Sequence, residues 1–351
     1  MKILFIPDVT ATNPYQALLA GALSDLGAEV VFGRVLGPFS LTRCMLVHRD
    51  VSIVHLIWTH PFFIRGSRLI SAAMLSLFIV DVLIARVLGA KIVWTVHNRW
   101  NHENRHVWLD LLNSRLLARL CDAMKVECQS AALEVERLYH ADASKIAVIP
   151  EGNYLQAYPN TVGVREARKT VGIEPDKLLF LYFGLIRPYK GVFELVKAFE
   201  QMDQPRLDLL VAGRPLNQTI RLRLQEISDA NPNIHMQLDF IAQDQVQIYM
   251  NASDVVVLPY EDILTSGTVL LAMSFGKAMI LPRLGCVEEV VDNQGAFLYD
   301  PSAEAGLLNA MRQALDADLP AMGRRNLERV RLHNWPDIAR MTYGLYERCM
   351  T

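Results

Sequence analysis

Apolar runs of roughly four to eight residues alternate along this chain with longer stretches in which apolar side chains recur at about every third or fourth position. The short runs predict strands at 2–7, 29–32, 51–58, 91–96, 123–127 and 145–149. The longer ones predict helices at 15–26, 69–88, 107–120 and 131–139. That rhythm marks βαβ units, in which parallel strands are joined by helical crossovers. A polar stretch at 152–177, carrying Pro159 and Pro175, interrupts it and is the expected linker region. The rhythm then resumes, with strands expected at 178–183, 207–212, 234–240, 255–259, 278–281 and 296–299 and helices at 192–202, 218–229, 243–251, 268–275 and 304–317. The expectation is an α/β chain of two Rossmann-like domains, 1–163 and 164–334. A last helix at 336–349 starts no further unit, so residues 335–351 are expected to pack back on the first domain.

Composition supports this reading. At 351 residues, 52% hydrophobic and 21% charged, each half can bury its own core. A net charge of −2 excludes the broad cationic face that wrapping a nucleic acid requires, so any phosphate contact must be local. Cys44, Cys121, Cys128, Cys286 and Cys349 are scattered without a C-x-x-C spacing, which fits a reducing cytoplasm better than a disulfide or zinc framework. The opening MKILFIPDV reads as a strand and not as a secretory leader. The run 69–88 has the length of a membrane span, but Asp81 and Arg86 interrupt it, and strand patterns flank it. It is expected to be a buried or membrane-surface helix.

Candidate chemistry concentrates at strand ends. The segment FGLIRPYKG at 183–191 leaves a strand with Gly184 allowing close backbone approach, and Arg187 and Lys190 are near enough in sequence to converge on one diphosphate. Two solvated loop cations are the plainer alternative. Thr265-Ser266-Gly267-Thr268 precedes a helix whose free N-terminal amides suit a phosphate, although an ordinary Ser/Thr cap reads the same way. Both segments follow strands of one open sheet, where α/β ligands bind, as do Val211-Ala-Gly-Arg214 and 240–243. No D-x-D stands at a strand end; Asp316 and Asp318 fall at the close of a helix, so no metal is expected.

The combination GLIRPYKG, LPY and TSGTVLLAMSFG resembles the GT-B glycosyltransferases of families 4 and 94, the latter including β-mannosyltransferases of xanthan-type polysaccharide pathways. The resemblance spans most of the chain and implies two Rossmann-like domains facing across a cleft. It implies that Gly184, Arg187, Lys190, Ser266, Gly267 and Thr268 hold the donor diphosphate. Glu261, Gly213, Arg214, Phe240 and Ile241 are then expected beside the donor sugar or nucleoside. Retaining family 4 enzymes carry two glutamates where this chain has Ile263 and Leu271, which favours inversion.

An inverting transfer needs a base in the first domain. The loop His97-Asn98-Arg-Trp-Asn-His102-Glu103 resembles the corresponding β-mannosyltransferase loop. Its catalytic candidates are Glu103, His102 and His97, with Glu103 or His102 as the base and His97 and Asn98 positioning. Asn13, Tyr15, Asn98, Trp58 and His60 are expected on the acceptor side, and Arg65 and Arg68, with the helix at 69–88, at a membrane surface. The implied reaction moves a hexose, mannose from GDP-mannose, to a lipid-linked saccharide in exopolysaccharide or envelope glycan assembly, without a further cofactor, on the inner face of the cell membrane. The alternatives are a retaining transferase or GT-B epimerase using a UDP-sugar, and a non-catalytic nucleotide-sugar-binding partner subunit.

Overall fold

Strands that read as unbroken apolar runs belong in sheets covered on both faces, and β8 (Leu207–Ala212) is buried at every position. The computed structural model describes residues 1–101, 105–202 and 204–351. The chain divides into Met1–Gly152 with His333–Thr351, and Asn153–Leu332.

The first unit runs β1 (Lys2–Ile6), α1 (Tyr15–Ser24), β2 (Glu29–Phe32), α2 (Ser40–Val47), β3 (Ile53–Leu56), α3 (His60–Phe63), α4 (Arg68–Val87), β4 (Lys91–Thr95), α5 (Val107–Leu120), β5 (Ala123–Val126), α6 (Gln129–Tyr139) and β6 (Ile146–Val148). Its parallel sheet has the order β2-β1-β3-β4-β5-β6. The order reverses between β1 and β3, which opens a crevice at their carboxyl ends. Ile3, Phe5, Leu19, Ile53 and Val93 form its core with Ile338, Leu345 and Tyr346 of the terminal helix Trp335–Met350.

The second unit contains α7 (Val164–Val171), β7 (Leu178–Phe183), α8 (Val192–Glu200), β8, α9 (Gln218–Ala230), β9 (Ile234–Gln237), α10 (Val246–Ala252), β10 (Val255–Val257), α11 (Gly267–Ser274), β11 (Ala278–Pro282), α12 (Val287–Val290), β12 (Ala296–Tyr299), α13 (Gly306–Gln313) and α14 (Leu319–Val330); the terminal helix is α15. Its sheet is β12-β11-β10-β7-β8-β9, all parallel, with the switch between β7 and β10. Phe180, Tyr182, Leu195, Phe199, Val257, Ile280 and Met311 are central to its core.

Several elements differ from the sequence expectation for identifiable reasons. The stretch 152–177 is not an open linker: it contains α7, whose buried Arg168 donates to Asp254 Oδ2 at 2.6 Å and to the carbonyls of Ala252, Pro175 and Lys177. Residues 160–162 are also tied to α10, through Gln247 and Asn251. The unpredicted α2 is fixed by a residue distant in sequence. Asp81 is buried on α4 and accepts from Leu41 N at 2.8 Å, Thr42 N at 2.9 Å and Thr42 Oγ1 at 2.6 Å, so it serves the N-terminus of α2. Helix α4 buries Leu75, Phe78, Val82 and Ala85 and leaves Leu69, Ile70 and Val87 exposed by 83%, 55% and 87%.

Candidate active site

Local chain geometry builds the site of the second unit at the β7/β10 switch. Beyond β7 the chain turns through Gly184, at φ 121°, and beyond β8 through Gly213, at φ 155°. A Cβ at Gly213 would stand 1.7 Å from Gly184 O, so the two turns are closely stacked and Gly213 tolerates no side chain without displacement, while Gly184 is held to glycine by its positive φ. A Cβ at Gly184 would lie 3.6 Å from Thr268 Oγ1 and 3.8 Å from Lys190 Nζ. Thr268 and Lys190 therefore border one small space over the glycine backbone.

Helix α11 enters the same space with its N-terminus. Ser266 caps it, accepting from Val269 N at 3.4 Å, and Tyr260 OH is 2.9 Å from Ser266 Oγ. Among the described residues no main-chain acceptor takes the amides of Gly267 and Thr268, which leaves two donors on the positive end of a helix dipole. Lys190 Nζ sits 5.6 Å from the centre of the Tyr260 ring. Burial, and after it the neighbouring Arg187 charge, push the Lys190 ammonium down to about 8. Lys190, the Thr268 hydroxyl and free amides around one point can hold a diphosphate and stabilise it as a leaving group, with Arg187, whose guanidinium donates to Ile186 O at 3.2 Å, adding its charge nearby.

The other donor-side candidates are distributed differently. Arg214 is exposed and Ile241 half-buried on the turns after β8 and β9, and Phe240 beside it is 53% exposed. Glu261 donates its amide to Tyr189 O at 2.8 Å and lines a separate cavity of about 360 Å³ with Glu194, Lys197 and Tyr299, a lining that includes no clamp residue. Burial, then the charge of Glu194, raise its carboxyl. Ile263 and Leu271 are both buried apolar side chains.

In the first unit, α1 follows β1, α3 follows β3 and the His97 loop follows β4. Tyr15 is interior to the unit: it is 1% exposed, its hydroxyl accepts from Lys125 Nζ at 3.2 Å, and its ring meets His97 edge-on at 5.2 Å. Asn13 caps the turn into α1, its Oδ1 accepting from Tyr15 N at 2.9 Å. Trp58 stacks on His97 with centroids 4.9 Å apart and planes 20° apart. Trp58, His60, His97 and Asn98 share the lining of a cavity of about 30 Å³. The loop is fastened below by Tyr139, whose hydroxyl donates to Arg99 O at 2.7 Å, and by Asp110, which accepts from Asn101 N at 2.7 Å. His102 and Glu103 lie outside the described residues. Arg65 is turned back on its own chain, donating to Ile64 O at 2.7 Å, and Arg68 is exposed at the start of α4.

Sequence reasoning overlooked Glu127. Its Oε1 lies 2.7 Å from His97 Nδ1, with both residues 8% exposed. The signal was present as a Lys and a Glu, at 125 and 127, within an otherwise apolar predicted strand. Lys125 is fully buried and faces the charges of Glu127 and Glu151, which partly offset the downward pull of burial on its ammonium.

Residues 164–328 match the family of glycosyl transferases group 1. The chain is 27% identical over 342 residues to a protein of Xanthomonas campestris pv. campestris described as a GDP-mannose:glycolipid 4-beta-D-mannosyltransferase, covering 95% of this chain and 88% of the relative. It is 24% identical over 268 residues to a D-inositol 3-phosphate glycosyltransferase of Kineococcus radiotolerans, covering 68% of this chain and 60% of that one. Among solved structures, sucrose-phosphate synthase from Thermosynechococcus elongatus superposes with a TM-score of 0.80 at 18% identity, over 99% of this chain and 98% of that one. Anabaena HepE in complex with UDP does so with 0.77 at 14%, over 99% and 100%. The fold is that of the GT-B glycosyltransferases.

Proposed function

We propose, starting from a glycosyltransferase whose residues 164–328 form a group 1 domain, that this chain moves mannose from GDP-mannose to a lipid-linked saccharide with inversion, giving a β-linkage. The observation that carries the reading is the meeting of Gly184, Lys190 and Thr268 at the β7/β10 switch. The donor and linkage follow the name of the Xanthomonas relative, which aligns along nearly the whole chain. Apolar residues at 263 and 271 support inversion, because no carboxylate stands there to assist retention on the donor side.

The Arg187 and Lys190 charges and the Gly267 and Thr268 amides take the diphosphate, with Gly184 admitting it close to the backbone. Gly213, Arg214, Phe240 and Ile241 border the nucleoside, where the exposed Phe240 ring offers a stacking face for a base. A base from His97, His102 or Glu103 removes the acceptor hydroxyl proton as that oxygen attacks C1 in line, and the nucleoside diphosphate departs with the bonding electron pair. The charges of Arg187 and Lys190 offset the charge that develops on it. The exposed apolar face of α4, with Arg68 at its start and Arg65 just before it, meets the inner membrane surface that displays the lipid-linked acceptor.

A thermal-shift panel of GDP, UDP, ADP and their sugars tests the donor, since a ligand at about 100 times its Kd stabilises the native state by about 2.7 kcal/mol. Stabilisation selective for GDP and GDP-mannose is the expected result. Selectivity for UDP would replace the donor, and no response to any nucleotide would remove the clamp.

A further inference from the structure

We infer that Tyr260 is the positioning residue of the diphosphate clamp, its ring holding the Lys190 ammonium and its hydroxyl tying down the start of α11. The inference rests on the donor site proposed above and names the side chain that joins its two halves.

Backbone packing brings the parts together. The chain leaving β10 lies directly on the turn that carries Arg187 and Lys190: Glu261 N donates to Tyr189 O at 2.8 Å, and a Cβ at Gly191, at φ 67°, would stand 1.9 Å from Pro259 O. Tyr260 sits between those two contacts, with Lys190 Nζ over its ring, 5.6 Å from the centre. The electron-rich face favours the charged ammonium, against the burial and the Arg187 charge that push it down. At the far end of the ring, Tyr260 OH lies 2.9 Å from Ser266 Oγ and also hydrogen-bonds Thr268. Burial pushes the phenol up to about 12, against those two bonds, so it stays a neutral hydroxyl. A neutral hydroxyl donates and accepts, and so can serve both partners at once. The side chain is 1% exposed, which leaves neither end free to swing away. The ring therefore fixes the cation on one side of the clamp, and the hydroxyl fixes the side chains beside the Gly267 and Thr268 amides on the other.

The test titrates the full chain with GDP and, separately, with UDP by calorimetry across about pH 6.5 to 9, comparing wild type with Tyr260→Phe and Tyr260→Leu. NMR of the Lys190 side chain follows its titration in the same three chains. Tyr260→Phe keeps the ring, so affinity is expected to fall about fivefold to tenfold for the lost hydroxyl while Lys190 titrates as in wild type. Tyr260→Leu loses the ring as well. Affinity at pH 8 is then expected to fall about 30-fold or more, and the Lys190 titration to move down by about 0.5 to 1 pH unit. An affinity within twofold of wild type in Tyr260→Phe overturns the inference. So does a Lys190 titration that stays in place in Tyr260→Leu or moves as far in Tyr260→Phe. A tyrosine that merely fills the core would lower thermal stability in both variants and leave affinity and titration unmoved. The donor reading fails differently, in the wild-type chain alone. Binding of UDP and not GDP replaces the donor and leaves the Tyr260 comparison to be made with UDP, whereas binding of neither removes the clamp and Tyr260's part in it.

Discussion

Two lysines, Lys190 and Lys125, stand at the carboxyl edges of the two sheets with opposite surroundings. Lys190 has Arg187 as its charged neighbour and makes no ion pair among the described residues. Lys125 faces Glu127 and Glu151 and donates to Tyr15 OH. The first edge carries positive charge without internal compensation, which is the condition of a site awaiting an anion. The second edge has its charges balanced within the unit, which is the condition of a scaffold that fixes the orientation of a neighbouring ring. One substitution, Lys→Met, should therefore have different consequences at the two positions.

The larger effect is expected at Lys125. Lys125→Met leaves Glu127 and Glu151 buried without the cation they face, and breaking such a grouping costs on the order of 3 kcal/mol. Urea denaturation of the full chain should show the midpoint falling, with GDP affinity largely retained. At Lys190 the outcome should reverse. Lys190→Met removes a desolvated, repelled charge, so the fold is expected to be as stable as wild type or more so. GDP affinity, read by calorimetry, is expected to drop about 30-fold, as for loss of one charge-assisted phosphate contact. If both variants lost stability alike and bound GDP alike, the contrast between the edges would be void.

The same contrast explains what the sequence could disclose. The clamp was legible because its parts are contiguous in sequence: a glycine turn, two cations three residues apart, and a small-residue helix start, each directly after an apolar strand. Their meeting followed from their place at strand ends of one sheet and from the family resemblance and not from any local spacing, because β7 and β10 become neighbours only through the reversal of strand order. Glu127 was missed for a related reason, since its position beside His97 depends on the Thr95–Lys125 register and on no local spacing. Helix α2 was missed because the carboxylate that caps it, Asp81, lies about 40 residues further on. In the sequence Asp81 interrupts an apolar run, whereas in the fold it is buried against α2 and serves its N-terminus. Helix α7 was hidden by its polar composition, which is tolerable only because Arg168 is buried against Asp254 and several carbonyls.

The smallest expected effect separates the two edges by pH. In the free chain burial, then Arg187, bring Lys190 from 10.5 down to about 8. Between those values the unfolded chain holds a proton that the folded chain has released, so this group's contribution to stability rises with pH across the window and is a constant penalty below it. Donor binding has the opposite sign, because a diphosphate favours the charged ammonium. GDP affinity should thus be level up to about pH 8 and then decline, by about tenfold between pH 7 and pH 9. The decline requires Lys190 itself, so Lys190→Met should remove it, while Lys125→Met, whose charge is balanced within the other unit, should keep it. Calorimetry at pH 7, 8 and 9 on the three chains decides the matter. A slope that persisted in Lys190→Met would move the titrating group elsewhere, and with it the claim that the uncompensated cation at the β7/β10 edge is the one that meets the donor.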